Sequence, residues 1–164
     1  AVLIGLEIEG RVEVGVAYFP ALDEMIAAAT GEGCRWNGRP ARVSPAANLD
    51  RAVVAHGDVG NLVKYGRGTA WERVLAATYF RGGWGDAYGY ALVASGRIEA
   101  MLDPALNPWD GGPFPAILSE AGGWFGDWSG EATIHGGDGV GVNAALRGPL
   151  LAMLAPDGAQ ATER

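Results

Sequence analysis

The residues equipped for chemistry in this 164-residue chain gather in the stretch Met101–Gly123. Asp103 stands at the end of an apolar run. A proline-punctuated turn follows, and Asp110 then sits at the mouth of an expected helix that closes on Gly122-Gly123. Asp is favoured at helix starts and Gly just past helix ends. A carboxylate at that mouth can hold a hard cation, and the free N–H groups beside it suit an anion. Metal plus anion is the equipment of phosphate chemistry. A third acid, Asp86, ends the Gly-rich run Arg81-Gly82-Gly83-Trp84-Gly85-Asp86. Local structure alone also accounts for each acid: Asp110 and Asp86 as helix caps, Asp103 as the acid of an Asp-Pro turn.

The elements that must position these acids follow from periodicity. Val2, Ile4, Leu6 and Ile8 alternate, Glu9-Gly10 marks a tight turn, and Val12, Val14, Val16 and Tyr18 alternate again. This predicts a hairpin with one buried side. Strands are expected at Glu24–Ala29 and, after the hairpin signal Asn37-Gly38, at Arg42–Ser44. Residues 1–50 thus read as an antiparallel meander, with a turn-like boundary at Pro45–Asp50. Beyond it strands and helices alternate. Strands are expected at Ala52–Ala55, Arg97–Leu102, Trp124–Trp128 and Val140–Val142. Helices are expected over Trp71–Tyr79, from Asp86 to Ala94, after Asp110, and over Leu146–Leu154. The pattern gives an α/β chain of α+β layered type: a meander, then a mixed sheet under covering helices across 51–155, then a tail at 156–164. In such sheets, sites form where strand ends feed helix starts.

Totals bound the function. With 49% hydrophobic residues the chain can build a core. Its formal net charge of -7 disfavours nucleic-acid binding, which needs a basic face. The single cysteine, Cys34, can neither staple the chain nor anchor a zinc cluster, so a reducing, cytoplasmic setting is the default. No apolar run reaches the roughly 18 residues of a membrane helix. His56 and His135 lie in Gly-containing loops and receive no catalytic role. The tryptophans are expected in the core and pocket wall.

Trp109-Asp110 followed by Glu120-Ala121-Gly122-Gly123 resembles the second signature of the inositol monophosphatase-like family. The segment from Trp84-Gly85-Asp86 through Asp103-Pro104, with Thr133–Gly137 and Asn143, resembles its histidinol-phosphatase branch. The likeness runs from about residue 1 to about residue 155. The resemblance implies a layered fold and a magnesium-dependent phosphomonoesterase. Asp110 would be the catalytic metal ligand that also touches the substrate. Asp86 and Asp103 would face the leaving group, Trp84 and Gly85 would line the same pocket, and Arg81 would lie at its rim. The implied reaction is histidinol phosphate to histidinol and phosphate, a step of histidine biosynthesis. Family members are often dimers, so the resemblance leaves room for a homodimer.

Two departures accompany it. The family's other metal signature, an Asp-Pro-Ile-Asp-Gly-Thr motif with an earlier Glu, is absent. The chain opens on Ala1 inside an expected strand, and we read it as a C-terminal portion, inactive alone. Gly111, Gly112, Pro113 and Pro115 follow Trp-Asp where small helix formers are usual, so the helix is expected to start late or bend. Two rivals stand beside the histidinol reading: an inositol or other sugar-alcohol monophosphatase, and a non-catalytic binding or assembly module.

Overall fold

The computed structural model describes residues 1–85 and 87–156. Asp86 and the expected tail at 157–164 lie outside the described residues. The first sheet is an antiparallel meander of β1 (Val2–Ile8), β2 (Arg11–Phe19), β3 (Glu24–Ala29), β4 (Gly33–Trp36) and β5 (Arg39–Pro40). Its two tight turns follow from their residues. Glu9-Gly10 and Asn37-Gly38 all take positive φ, 50° and 78°, then 45° and 77°, as two-residue hairpin loops require. Asn37 adds side-chain bonds: Oδ1 accepts from the Met25 N–H at 2.7 Å and Nδ2 donates to the Asp23 carbonyl at 3.0 Å.

The second sheet comprises β6 (Val53–His56), β7 (Phe80–Gly83), β8 (Ala100–Asp103), β9 (Gly123–Gly126) and β10 (Gly139–Asn143). Its order is β7-β6-β8-β10-β9. Strand β6 runs parallel to β7 and β8, while β10 is antiparallel to β8 and β9. The helices are α1 (Val59–Lys64), α2 (Gly68–Ala77), α3 (Tyr88–Ala94), α4 (Pro108–Gly111), α5 (Phe114–Glu120) and α6 (Arg147–Leu154).

Burial sorts these elements into layers. Between the sheets, α3 and α5 bury Tyr90, Ala91, Phe114 and Ile117 against Ala17 and Ile26 of the first sheet and Met101 and Phe125 of the second. On the far side of the second sheet, Trp71 and Val74 of α2 and Leu150 of α6 cover Val54, Leu102 and Val140. The order sheet, helices, sheet, helices is the layered α+β arrangement that the pattern implied. None of the described helices is long and apolar enough to cross a membrane.

Three local expectations are corrected. The alternating face of β1 is not buried: Val2, Ile4, Leu6 and Ile8 are 49–56% exposed. Glycines chose the other face. Gly5 and Gly15 are paired across β1 and β2, and the chain around Gly112-Pro113 lies directly on them. A Cβ at Gly5 would stand 2.5 Å from the Gly112 carbonyl oxygen, and one at Gly15 would stand 2.0 Å from that of Pro113. The helices approach over these two bare positions, so the odd-numbered residues face inward. The strand that returns after Asn37-Gly38 is β5, not Arg42–Ser44. Asn143 holds the following segment instead, its Nδ2 donating to the carbonyls of Ser44 and Ala46 at 3.0 and 2.9 Å. Finally, part of the Gly-rich run read as a turn is strand β7, and the short helix α1 follows β6.

Candidate active site

The parallel strands β6, β7 and β8 end at one edge of the second sheet, and β10 starts there. After β6 the chain passes to α1 and α2 on the outer face. After β7 and β8, on either side, it passes to the helices between the sheets. In sheets wound this way, ligand sites lie outside the strands' carboxyl ends. His56-Gly57, Trp84-Gly85 and Asp103 meet here. The Gly57 N–H donates to the Leu102 carbonyl at 3.1 Å, and the Trp84 N–H donates to the His56 carbonyl at 3.1 Å.

Asp103 ends β8 here. It is 2% exposed, and its Oδ1 faces Gly57 so closely that a Cβ there would stand 2.6 Å away. Its backbone is fixed as well. The buried Trp128 indole N–H is shared between the Asp103 carbonyl at 3.0 Å and the Gly139 carbonyl at 3.2 Å. Trp128 is in turn held by Asp138, whose Oδ1 accepts from its backbone N–H at 2.9 Å. The other Asp138 oxygen is paired with the Arg67 guanidinium, which lies over the Trp128 ring at 5.1 Å. Burial pushes the Asp138 carboxyl above its ordinary pKa, against the opposing pull of the Trp128 N–H and Arg67. Arg67, Trp128 and Asp138 carried no signal in the sequence, because Arg67 and Asp138 are 71 residues apart.

Trp84 and Gly85 lie exposed just past β7, with Trp84 54% exposed. The Trp84 ring lies 5.8 Å from that of Tyr88, at 32°. Tyr88 donates its hydroxyl to Glu24 Oε2 at 2.8 Å, and burial and that carboxylate raise its pKa. Ala87, at the entry to α3, has φ 49°, a conformation costly for a residue with a Cβ and found most often at functional sites. Asp86, predicted to face the leaving group, lies outside the described residues.

Two predicted site residues are arranged differently from expectation. Arg81 is not brought to this edge. Its Nη1 turns back to the carbonyls of Thr78 and Tyr79 at 2.6 and 3.3 Å, at the opposite end of β7. Asp110 is not a helix cap. Asn107 takes that place, Pro108 opens α4, and Asp110 follows in the first turn. The prolines then split the expected helix into α4 and α5, because neither Pro113 nor Pro115 has an N–H to donate. Asp110 is half-buried, and its Oδ2 accepts from Asn107 Nδ2 at 3.2 Å. Magnesium takes six oxygens, usually one or two carboxylates completed by phosphate and water. Among the described residues no three His, Cys, Asp or Glu side chains converge. Asp110 offers a single carboxylate, and the described residues alone do not fit a metal site.

Other residues of the signature are structural. Both Glu120 carboxylate oxygens clamp the β3–β4 turn, accepting from the N–H groups of Gly31 at 2.9 Å and Gly33 at 2.8 Å. Trp109 is 71% exposed, outside the core, and of the two expected places, core and pocket wall, it takes a wall. It borders a groove of about 480 Å³ between β1 and α4, which is also lined by Leu3, Glu7 and His135. His135 bonds Glu7 there at 3.1 Å. His56 packs edge-on against Trp71 at 4.7 Å, and Cys34 is buried with its thiol pushed up to about 12.

Comparison with known proteins agrees with this fold. The model of the inositol monophosphatase family matches residues 1–161. The histidinol-phosphatase of Chlorobaculum parvum is 36% identical over 154 residues, covering 93% of this chain and 60% of that protein. The fructose-1,6-bisphosphatase/inositol-1-monophosphatase of Thermotoga maritima is 36% identical over 123 residues, covering 74% of this chain and 46% of that protein. The crystal structure of the extragenic suppressor protein suhB from Bartonella henselae superposes with a TM-score of 0.82 at 30% identity, covering 93% of this chain and 62% of that one. The chain thus spans about half to three fifths of the length of these relatives.

Proposed function

Because the chain belongs to the inositol monophosphatase family, we propose that the whole protein hydrolyses a small phosphomonoester, namely histidinol phosphate, to histidinol and phosphate. Supporting it is the family match, together with the acid Asp103 at the end of β8 and the exposed indole of Trp84 just past β7, at the same ends of parallel strands. In the reaction a water oxygen bonds to phosphorus, the bond to the ester oxygen breaks, and the leaving alcohol takes up a proton. The carboxylate of Asp103 favours a leaving alcohol that carries a cationic amine, as histidinol does. Trp84 and Gly85 wall the same side. Asp110 would offer one oxygen to a divalent ion, and the chemistry such an ion would supply is polarisation of the phosphate. Among the described residues no group of three acids, His or Cys converges with it, so turnover is assigned to the whole protein.

The similarity to the Thermotoga maritima enzyme, at the same 36% identity, supports a second reading, a sugar-alcohol monophosphatase. Parallel assays of the whole protein with histidinol phosphate and inositol monophosphate separate the two. The expected result is the higher kcat/KM on histidinol phosphate, and a higher value on the inositol ester overturns the first reading. Asp110→Asn is expected to cut magnesium-dependent turnover by about 100-fold or more. Full activity in that variant removes Asp110 from the site. Loss of all phosphatase activity in the unaltered whole protein favours the binding-module alternative.

A further inference from the structure

We propose that Trp128, braced by Asp138 and Arg67, is a positioning residue that fixes the direction of the Asp103 carboxylate. This rests on the phosphatase reading and adds to it the residues that set the preference for an alcohol with a cationic amine.

Asp103 is 2% exposed, so the protein rather than water decides where its carboxylate points. Backbone dihedrals restrict the rotamers open to a side chain, and both peptide groups flanking Asp103 are held. On one side the Leu102 carbonyl accepts from the Gly57 N–H at 3.1 Å. On the other, Pro104 supplies no N–H, so the Asp103 carbonyl is the one hydrogen-bonding group of that peptide. It lies at the end of the ladder, where Asp103 pairs with Gly139 of β10, and such ends open most readily. The Trp128 indole N–H closes this end, reaching the Asp103 carbonyl at 3.0 Å and the Gly139 carbonyl at 3.2 Å. The carboxylate itself is wedged: its Oδ1 lies over Gly57, where a Cβ would stand 2.6 Å from it.

Trp128 can pin Asp103 only if it is itself immobile, and it is buried and held at both its backbone and its ring. Its backbone N–H donates to Asp138 Oδ1 at 2.9 Å. The Arg67 guanidinium covers its ring at 5.1 Å while pairing with the second Asp138 oxygen. Arg67 is anchored in turn: its N–H donates to the Leu62 carbonyl at 2.7 Å, and its carbonyl accepts from the Trp71 N–H at 2.9 Å. The contacts therefore run unbroken from the turn between α1 and α2 to the last residue of β8. Packing alone does not explain these residue types. An ion pair at a buried corner costs desolvation that an apolar cluster of similar volume avoids, and a phenyl ring would pack there without any N–H.

The test measures kcat/KM on the whole protein with two esters, histidinol phosphate and glycerol phosphate, the second having a neutral alcohol. The readout is the ratio of the two values, which a mere loss of folded enzyme leaves unmoved because both rates fall together. Trp128→Phe deletes the indole N–H, and Asp138→Ala deletes the acceptor that holds Trp128. Each is expected to lower the preference for histidinol phosphate by about 3- to 10-fold. Asp138→Asn keeps that acceptor and is expected to hold the ratio to within about twofold. In an Asp103→Asn background, where the positioned group has lost its charge, Trp128→Phe is expected to move the ratio by less than about twofold. A wild-type ratio in both Trp128→Phe and Asp138→Ala overturns the positioning proposal, as does an undiminished drop in the Asp103→Asn background. If Asp103→Asn by itself lowers the preference, the role of Asp103 survives either failure. If Asp103→Asn keeps the wild-type preference, both the positioning proposal and that role fall.

Discussion

Asp138 ionises at a cost in the native state. Desolvation lifts its pKa by more than the Trp128 N–H and the Arg67 guanidinium lower it. The native chain therefore holds this proton more tightly than the unfolded chain does. The stability this group contributes is complete below the ordinary carboxylate range and is lost as pH rises through the raised native value. Asn at this position cannot titrate. Urea midpoints of wild type and Asp138→Asn, compared on both sides of the ordinary carboxylate range, are expected to show wild type losing ground to the variant as pH rises. Parallel pH profiles would contradict this account. At this scale the sequence offered the acids and the aromatic that its motifs contain, and Asp103 and Trp84 lie where β8 and β7 end. It could not offer Asp138 or Trp128, whose roles exist only once β8 and β10 are side by side. It also misplaced Arg81, because a side chain as long as arginine can fold back to either end of a four-residue strand.

At the scale of elements, the contact between the first sheet and the chain at 112–113 is made through glycine. Gly15 faces the Pro113 carbonyl with no room for a methyl group. Gly15→Ala forces the sheet and helices apart and is expected to cost about 3 kcal/mol, as overpacked cores do. Chemical denaturation of wild type and variant checks it, and a loss below about 1 kcal/mol would mean the layers slide freely. The elements themselves divide by how local their causes are. The turns at Glu9-Gly10 and Asn37-Gly38 and the interruption at Pro113 and Pro115 were legible, because φ restrictions and a missing N–H act within a few residues. β7 was not. Phe80-Arg81-Gly82-Gly83 has the composition of a turn and becomes a strand only because it pairs with β6.

For the molecule as a whole, the outer face of the first sheet is the unfinished surface. β1 is its edge strand, and Val2, Ile4, Leu6 and Ile8 stand half-exposed on it. Such an edge invites association. The 164-residue polypeptide is expected to sediment as concentration-dependent oligomers, and Ile4→Lys with Leu6→Lys is expected to shift it toward monomer without lowering its melting temperature by more than a few degrees. A monomer at all concentrations, or an unchanged oligomer in the double variant, would remove this face from the association. The sequence by itself determined the class of the fold, the order of its two halves and the acids that could do chemistry. Periodicity, turn chemistry and charge are properties of short stretches. Only the tertiary structure decided which face of β1 is buried, which strand lies between β7 and β8, and which buried groups hold Asp103. Those outcomes depend on where distant backbones come close enough to exclude a side chain or share a proton, and no local pattern encodes that approach.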